Sequence, residues 1–187
     1  GMPIIIGPAH GISDSGGVMN QGKMATILGM KGVSATAEVS MIESVLTLQS
    51  VTGAQIHFSH VSTEKGLGLI IQAKTTGAAV TCGVSPMYFR FTEENLSDYD
   101  PMLKVDPPLR TESDRAAILK GILNGEVDVI SSHHEPCTID DKRTDFTDAA
   151  FGCSGIELLV PLLITFLHVE HGMDMASLMQ MITVNPH

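Results

Sequence analysis

Residues 125–138 read GEVDVISSHHEPCT. The first half is apolar enough for a buried strand. It stops at Ser131-Ser132 and then presents His133, His134, Glu135 and Cys137. Just before it, TESDRAAILKGILNG (111–125) carries Thr111 and Asp114 at capping-box spacing and ends on a helix-stopping glycine. A helix followed by an apolar strand whose end bears polar, chemically capable residues is one period of an α/β fold.

The same period recurs upstream. PIIIG is a short apolar strand. SATAEVSMIESVLTLQSVTG places Val39, Ile42, Val45 and Leu46 at helical spacing and closes on Gly53. AQIHFSH reads as a strand, and STEKGLGLIIQAKTTG as a helix capped by Ser62 or Thr63 and stopped near Gly77. AAVTCGV is a third strand before EVDVISS. SGIELLVPLLITFLHVEHG and DMASLMQMI read as closing helices. Four β/α units in series, with strands apolar throughout, predict a parallel sheet. The stretch from Ser85 to Arg110 shows no regular pattern and reads as a long functional loop or lid. Four units are half of a (β/α)8 barrel, which takes about 250 residues, whereas this chain has 187.

Composition narrows the function classes. The chain is 43% hydrophobic and 17% charged, with a formal net charge of −10. That is globular, and it argues against nucleic acid as a partner. The longest apolar run, ELLVPLLITFLHV, is too short for a membrane span and contains Pro161. The three cysteines, Cys82, Cys137 and Cys153, form no evident disulfide framework. A reducing cytoplasm is therefore the expected setting. Gly1 ahead of Met2 reads as a tag remnant. The eleven methionines read as adaptable core filling.

Working residues of α/β folds sit at strand ends. Read that way, the first strand end offers His10, the second His57 and His60, and the fourth His133, His134, Glu135 and Cys137. Neutral imidazole is the commonest metal ligand. Alternation along QIHFSH puts His57 and His60 on opposite faces, with His60 at the mouth. Cys137 lacks any sequence sign of activation as a nucleophile. GISDSGG lacks the lysine of a phosphate loop.

Five segments occur in an order and spacing that resemble one family: GGVMNQGKMATILGMKGVSATAE, HFSHVSTEKGLGLI, DPMLKVDPPLRTESDRAAIL, GEVDVISSHHEPCT and AAFGCSGIELLVPLLITF. Together they resemble the C-terminal half of a dihydroorotase, a cyclic-amide hydrolase of the amidohydrolase superfamily. The resemblance runs from about Pro3 to Pro186. It implies a single partial domain over residues 1–187, the second half of an amidohydrolase TIM barrel. It also implies a zinc site at the mouth, where metal-bound hydroxide opens the ring of dihydroorotate and an aspartate moves the proton.

Carried over by motif, His60 matches a metal-binding histidine. His10 stands near the preceding one, although HGIS replaces the family's His-x-Glu-Asp. Asp106 in KVDPPLR stands where the family usually has a substrate-binding Asn. Phe151 and Gly152 match a loop whose backbone touches substrate, with Ala150 replacing its proline. At the fourth strand end the family reads Thr-Asp-His-Ala-Pro-His. Here it reads Ser132-His133-His134-Glu135-Pro136-Cys137. The catalytic aspartate has become His133 and a substrate-contacting histidine has become Cys137. Glu135 is a candidate substitute carboxylate, expected to point elsewhere. The Ser-His-His-x-Pro variant also resembles the pseudo-dihydroorotases, non-catalytic partners of aspartate transcarbamoylase.

Three readings follow. The chain is a degenerate protein of pyrimidine biosynthesis that has lost its zinc, serving as a scaffold for a transcarbamoylase or as a self-associating half-barrel. Alternatively, it is half of an active zinc hydrolase of dihydroorotate or carbamoyl aspartate, completed by an N-terminal half. The third reading is a hydrolase of another cyclic imide. Exposed strand edges predict a homodimer or higher oligomer.

Overall fold

The computed structural model describes residues 2–7 and 16–186. Its centre is a four-stranded parallel sheet, order β1-β4-β5-β6, made of β1 (Ile4–Ile6), β4 (Ile56–Phe58), β5 (Val80–Val84) and β6 (Val129–Ile130). Ile4 aligns with Ile56, Ile56 with Val80, and Gly83 with Val129. A second, two-stranded parallel pair, β2 (Met19–Asn20) with β3 (Gly32–Val33), flanks α1 (Lys23–Leu28).

The sheet has two unlike faces. Ile56, Phe58, Val80 and Cys82 point into the core. There α2 (Ala35–Thr52), α3 (Glu64–Thr75) and α5 (Glu112–Leu123) bury Ile42, Ile70, Ile118 and Ile122. On the other face Ile5 and Thr81 are exposed, and a groove of about 510 Å3 runs past Ile5, His57, Thr81 and Val129. Among the described residues nothing pairs with the outer edge of β1 or of β6 beyond single bonds.

Helix ends follow the predicted caps. Ser34 caps α2, and Gly53 takes the left-handed conformation at its end. Of the two candidates for α3, Thr63 is the cap, its hydroxyl accepting from the Gly66 N–H at 3.1 Å. The Thr111/Asp114 capping box opens α5. The strand read over EVDVISS is regular only at Val129–Ile130. One ladder bond continues it at each end, Asp128 N–H to the Cys82 carbonyl and Ser131 N–H to the Val84 carbonyl.

The loop read as irregular is not so. Ser85 caps α4 (Pro86–Arg90), which has Pro86 where a missing N–H costs nothing. Two 3-10 turns follow, Glu93–Leu96 behind a Thr92/Asn95 capping box and Pro101–Leu103 behind Asp100. After β6 come α6 (Ile139–Lys142) and α7 (Ile156–Leu162). The long helix read from residue 154 onward is broken in character: α7 passes into a π-helical run, Leu163–Glu170. Pro161 lies at that change, and the Thr165 hydroxyl donates to its carbonyl at 2.7 Å. Asp174 caps the last helix, α8 (Met175–Ile182). Among the described residues no helix is long and apolar enough to cross a membrane.

Candidate functional site

β4 and β6 end alike. Past each strand a histidine holds a positive φ, 53° at His60 and 49° at His133. Non-glycine residues adopt this region rarely and at a cost, and such positions cluster at functional sites. The two turns bring the rings face to face, centroids 3.8 Å apart and planes inclined by 15°. Around the pair stand Ser131, whose Oγ is 3.1 Å from His60 Nε2, and Tyr88, whose hydroxyl is 3.4 Å from His133 Nδ1. The Tyr88 hydroxyl donates to the Pro107 carbonyl at 3.0 Å, which anchors it to the loop after α4.

Both histidines are held neutral. Burial lowers His60, and repulsion from His133 adds to it; the Glu135 carboxylate opposes both but leaves His60 at about 4. Burial also lowers His133, against a hydrogen bond to the Asp106 backbone that favours its cation. Neutral imidazoles can each accept a proton at one nitrogen while donating from the other.

Glu135 corrects the expectation that it points away. Its carboxylate lies 3.8 Å from His133 Nε2, although the side chain is half exposed. The segment carrying Phe151 and Gly152 docks beside it: Glu135 N–H donates to the Cys153 carbonyl at 2.9 Å, and His134 bridges Cys153 in parallel. Gly152 is required there. Its φ is +111°, and a Cβ would run into the Glu135 carbonyl. The Cys137 thiol donates to the Phe151 carbonyl at 3.1 Å, so Cys137 ties the two segments together. Asp106 is half-buried and reaches the pair through its backbone. His134 is exposed and accepts from the Ile156 N–H at 3.4 Å. His57 faces the sheet groove instead, its Nδ1 2.8 Å from the Thr81 hydroxyl. His10 lies outside the described residues.

Two supports of this site went unread in the sequence. Lys104 is buried, and its ammonium donates to the carbonyls of Phe146, Thr147 and Ala149 at 2.9, 2.9 and 2.6 Å. The same ammonium lies 4.6 Å from the centre of the Phe151 ring. The Lys104 carbonyl accepts from Gly152 N–H at 2.9 Å, and Lys142 holds the Ala150 carbonyl at 2.7 Å. Two lysines thus fasten the loop before Phe151. The second support is a buried polar cluster. Glu38 accepts from the Ser62 and Thr63 N–H groups, each at 3.0 Å, from the Thr63 hydroxyl at 2.8 Å and from the Ser62 hydroxyl. Arg110 stands 3.6 Å away and donates to Asn20 Oδ1, Ser62 Oγ and the Val33 carbonyl. This cluster fixes the backbone that follows His60. A lone Glu in a helix and a lone Arg in a loop gave no sequence signal of meeting.

Zinc is the metal the resemblance implies. Among the described residues no three His, Cys, Asp or Glu side chains gather in a way that could hold a metal ion. The stacked rings of His60 and His133 direct their in-plane lone pairs along nearly parallel planes, not toward a common point. A catalytic zinc needs three protein ligands, so the described residues do not fit it by themselves.

No family model matches the chain. Relatives do. The dihydroorotase of Acetivibrio thermocellus is 40% identical over 171 residues, 91% of this chain and 40% of that protein. The dihydroorotase of Thermus aquaticus is 36% identical over 192 residues, covering all of this chain and 45% of that one. Among solved structures, the L-hydantoinase (dihydropyrimidinase) of Arthrobacter aurescens superposes with a TM-score of 0.77 at 27% identity, over 96% of this chain and 39% of that one. The inactive dihydroorotase-like domain of the Chaetomium thermophilum CAD-like multifunctional protein gives 0.61 at 24% identity, over 79% and 40%, a likeness of fold. The parallel sheet with its helices is therefore part of an amidohydrolase TIM barrel. The chain is similar to curated dihydroorotases over about nine tenths of its own length and spans about two fifths of theirs.

Proposed function

We propose that the chain is a degenerate dihydroorotase-like protein of pyrimidine biosynthesis that does not hydrolyse dihydroorotate by itself. The observation that carries this reading is His133. It occupies the strand end that the family gives to a catalytic aspartate, and it is buried, neutral and stacked on His60. A neutral imidazole shuttles a proton, but it supplies no negative charge to face a metal. Asp106 points the same way, because an acid in place of an amide repels an anionic substrate. As a non-catalytic member the chain would act through association, in a homodimer or higher oligomer or on aspartate transcarbamoylase, in the cytoplasm. Zinc determination on the purified chain, with an assay for interconversion of dihydroorotate and carbamoyl aspartate, tests this. Substoichiometric zinc and no turnover are expected. One zinc per chain with ring opening would overturn it.

One observation favours a second reading, a hydrolase completed by an N-terminal half. Glu135 places a carboxylate 3.8 Å from His133 Nε2. Closing that gap to hydrogen-bond length would let the pair pass a proton, doing part of the work of the lost aspartate. This reading requires activity on mixing the chain with such a half, and a higher rate for His133→Asp in the mixture. An inert mixture rejects it.

A further inference from the structure

A second cavity, of about 340 Å3, opens beside the ends of β5 and β6. Ser132, next to His133 in sequence, lies on its wall, whereas His60, His133, Asp106, Cys137 and Phe151 do not. Its size is within the range of small-molecule sites. Six large apolar side chains line it: Met87 and Phe91 at α4, Met102 and Leu103 at the second 3-10 turn, and Leu158 and Leu162 on α7.

Three serines border it: Ser85 is buried, Ser132 half-buried and Ser154 exposed. Ser85 is fully buried, and its Oγ accepts from the Met87 N–H at 3.3 Å. Among the described residues its own O–H meets no acceptor, and the Ser132 and Ser154 hydroxyls make no hydrogen bond. An occupant that covers the half-buried Ser132 hydroxyl displaces water from it, so one that offers an acceptor is favoured. Its one charged lining residue is Glu157, and no lysine or arginine lines it.

We propose that this cavity is a binding site, separate from the histidine pair, for a small neutral ring compound bearing hydrogen-bond acceptors. The apolar walls take the faces of the ring, and the Ser132 hydroxyl donates to its carbonyl or hydroxyl oxygen. Glu157 disfavours anions, so the acidic substrates of the family are the wrong class for it.

Two fluorescent probes sharing one skeleton test the proposal on the intact chain. N-phenyl-1-naphthylamine is neutral; 8-anilino-1-naphthalenesulfonate adds a sulfonate. The neutral probe is expected to bind one-to-one and at least tenfold more tightly than the anionic one. Leu158→Trp plugs the mouth from a position already 56% exposed, and should weaken the neutral probe tenfold or more. Met102→Trp, 54% exposed, is an independent plug with the same expected effect. Thr81→Trp, which fills the groove on the open sheet face, should leave binding unchanged. Ser132→Ala should weaken displacement of the probe by 4-quinolone, which has a carbonyl acceptor, more than displacement by naphthalene. Absence of neutral-probe binding, equal affinity for both probes, full binding to both plugged variants, or loss of binding in Thr81→Trp would each overturn the proposal.

Discussion

Replacing Glu38 by Ala is the sharpest test of what holds the site in place. Glu38 has no exposed surface, and its carboxylate accepts four hydrogen bonds from Ser62 and Thr63. Its removal strands two backbone N–H groups and leaves the Arg110 guanidinium, 3% exposed, without its counter-charge. Hydrogen bonds to a charged group are worth about 1.5–3 kcal/mol each, but groups sharing one network do not add. Breaking a buried ion pair from one side costs about 3–5 kcal/mol, and that figure governs here. Domains of this size are stable by about 5–15 kcal/mol. With a urea m-value of about 2 kcal/mol/M, the midpoint should fall by roughly 2 M. Far-UV circular dichroism against urea reads this directly. Glu38→Gln should fall nearly as far, because its NH2 would face N–H donors. The double variant Glu38→Met/Arg110→Met should recover part of the loss, since it strands no charge. A Glu38→Gln midpoint within about 0.3 M of the parent, well below the loss expected from the burial principle, would refute the reasoning.

Three further outcomes are expected. Lys104→Met removes three carbonyl contacts before Phe151, so the Cys137 thiol, now hydrogen-bonded to that segment, should react with Ellman's reagent about tenfold faster; an unchanged rate would show that the lysine does not hold the loop. Gly152→Ala forces a side chain onto the Glu135 carbonyl at φ +111° and should cost about 2 kcal/mol in urea unfolding, with Cys137 again exposed. Burial pushes the Cys82 thiol from 9.0 up to about 12. The folded state therefore keeps the proton while the unfolded chain loses it, so stability is complete below pH 9 and declines as pH rises toward 12. Relative to Cys82→Ala, the parent should lose roughly 2 kcal/mol by pH 10.5, and no difference between the two slopes would reject the burial argument.

Much of the fold was legible because it is written in local signals. Ser34, Thr63 and Thr111 announce helix starts, Gly53 ends a helix in the left-handed conformation, and unbroken apolar runs announce parallel strands. The stretch from Ser85 to Arg110 was missed although Ser85-Pro86 and Thr92/Asn95 are also caps, because turns of three to five residues leave no periodicity to read. Strand ends located His60, His133 and Glu135, since the fold itself sends them to one edge. The long-range partners were invisible. Arg110 and Asn20, or Lys104 and Ala149, meet only through tertiary packing. The side on which Glu135 lies depends on the positive φ of His133, and the residue type gives no hint of that.

Among the described residues no strand pairs with the outer edges of β1 and β6, and the sheet face between them is exposed. Main-chain groups along a strand edge are satisfied by water or by another strand, and apolar side chains such as Ile5 gain only from a cover. Any species that supplies one binds the folded chain and not the unfolded one. The folding equilibrium is then tied by mass action to the concentration of that species. Where that species is a second copy of the chain, the unfolding midpoint would rise with protein concentration and fall on dilution.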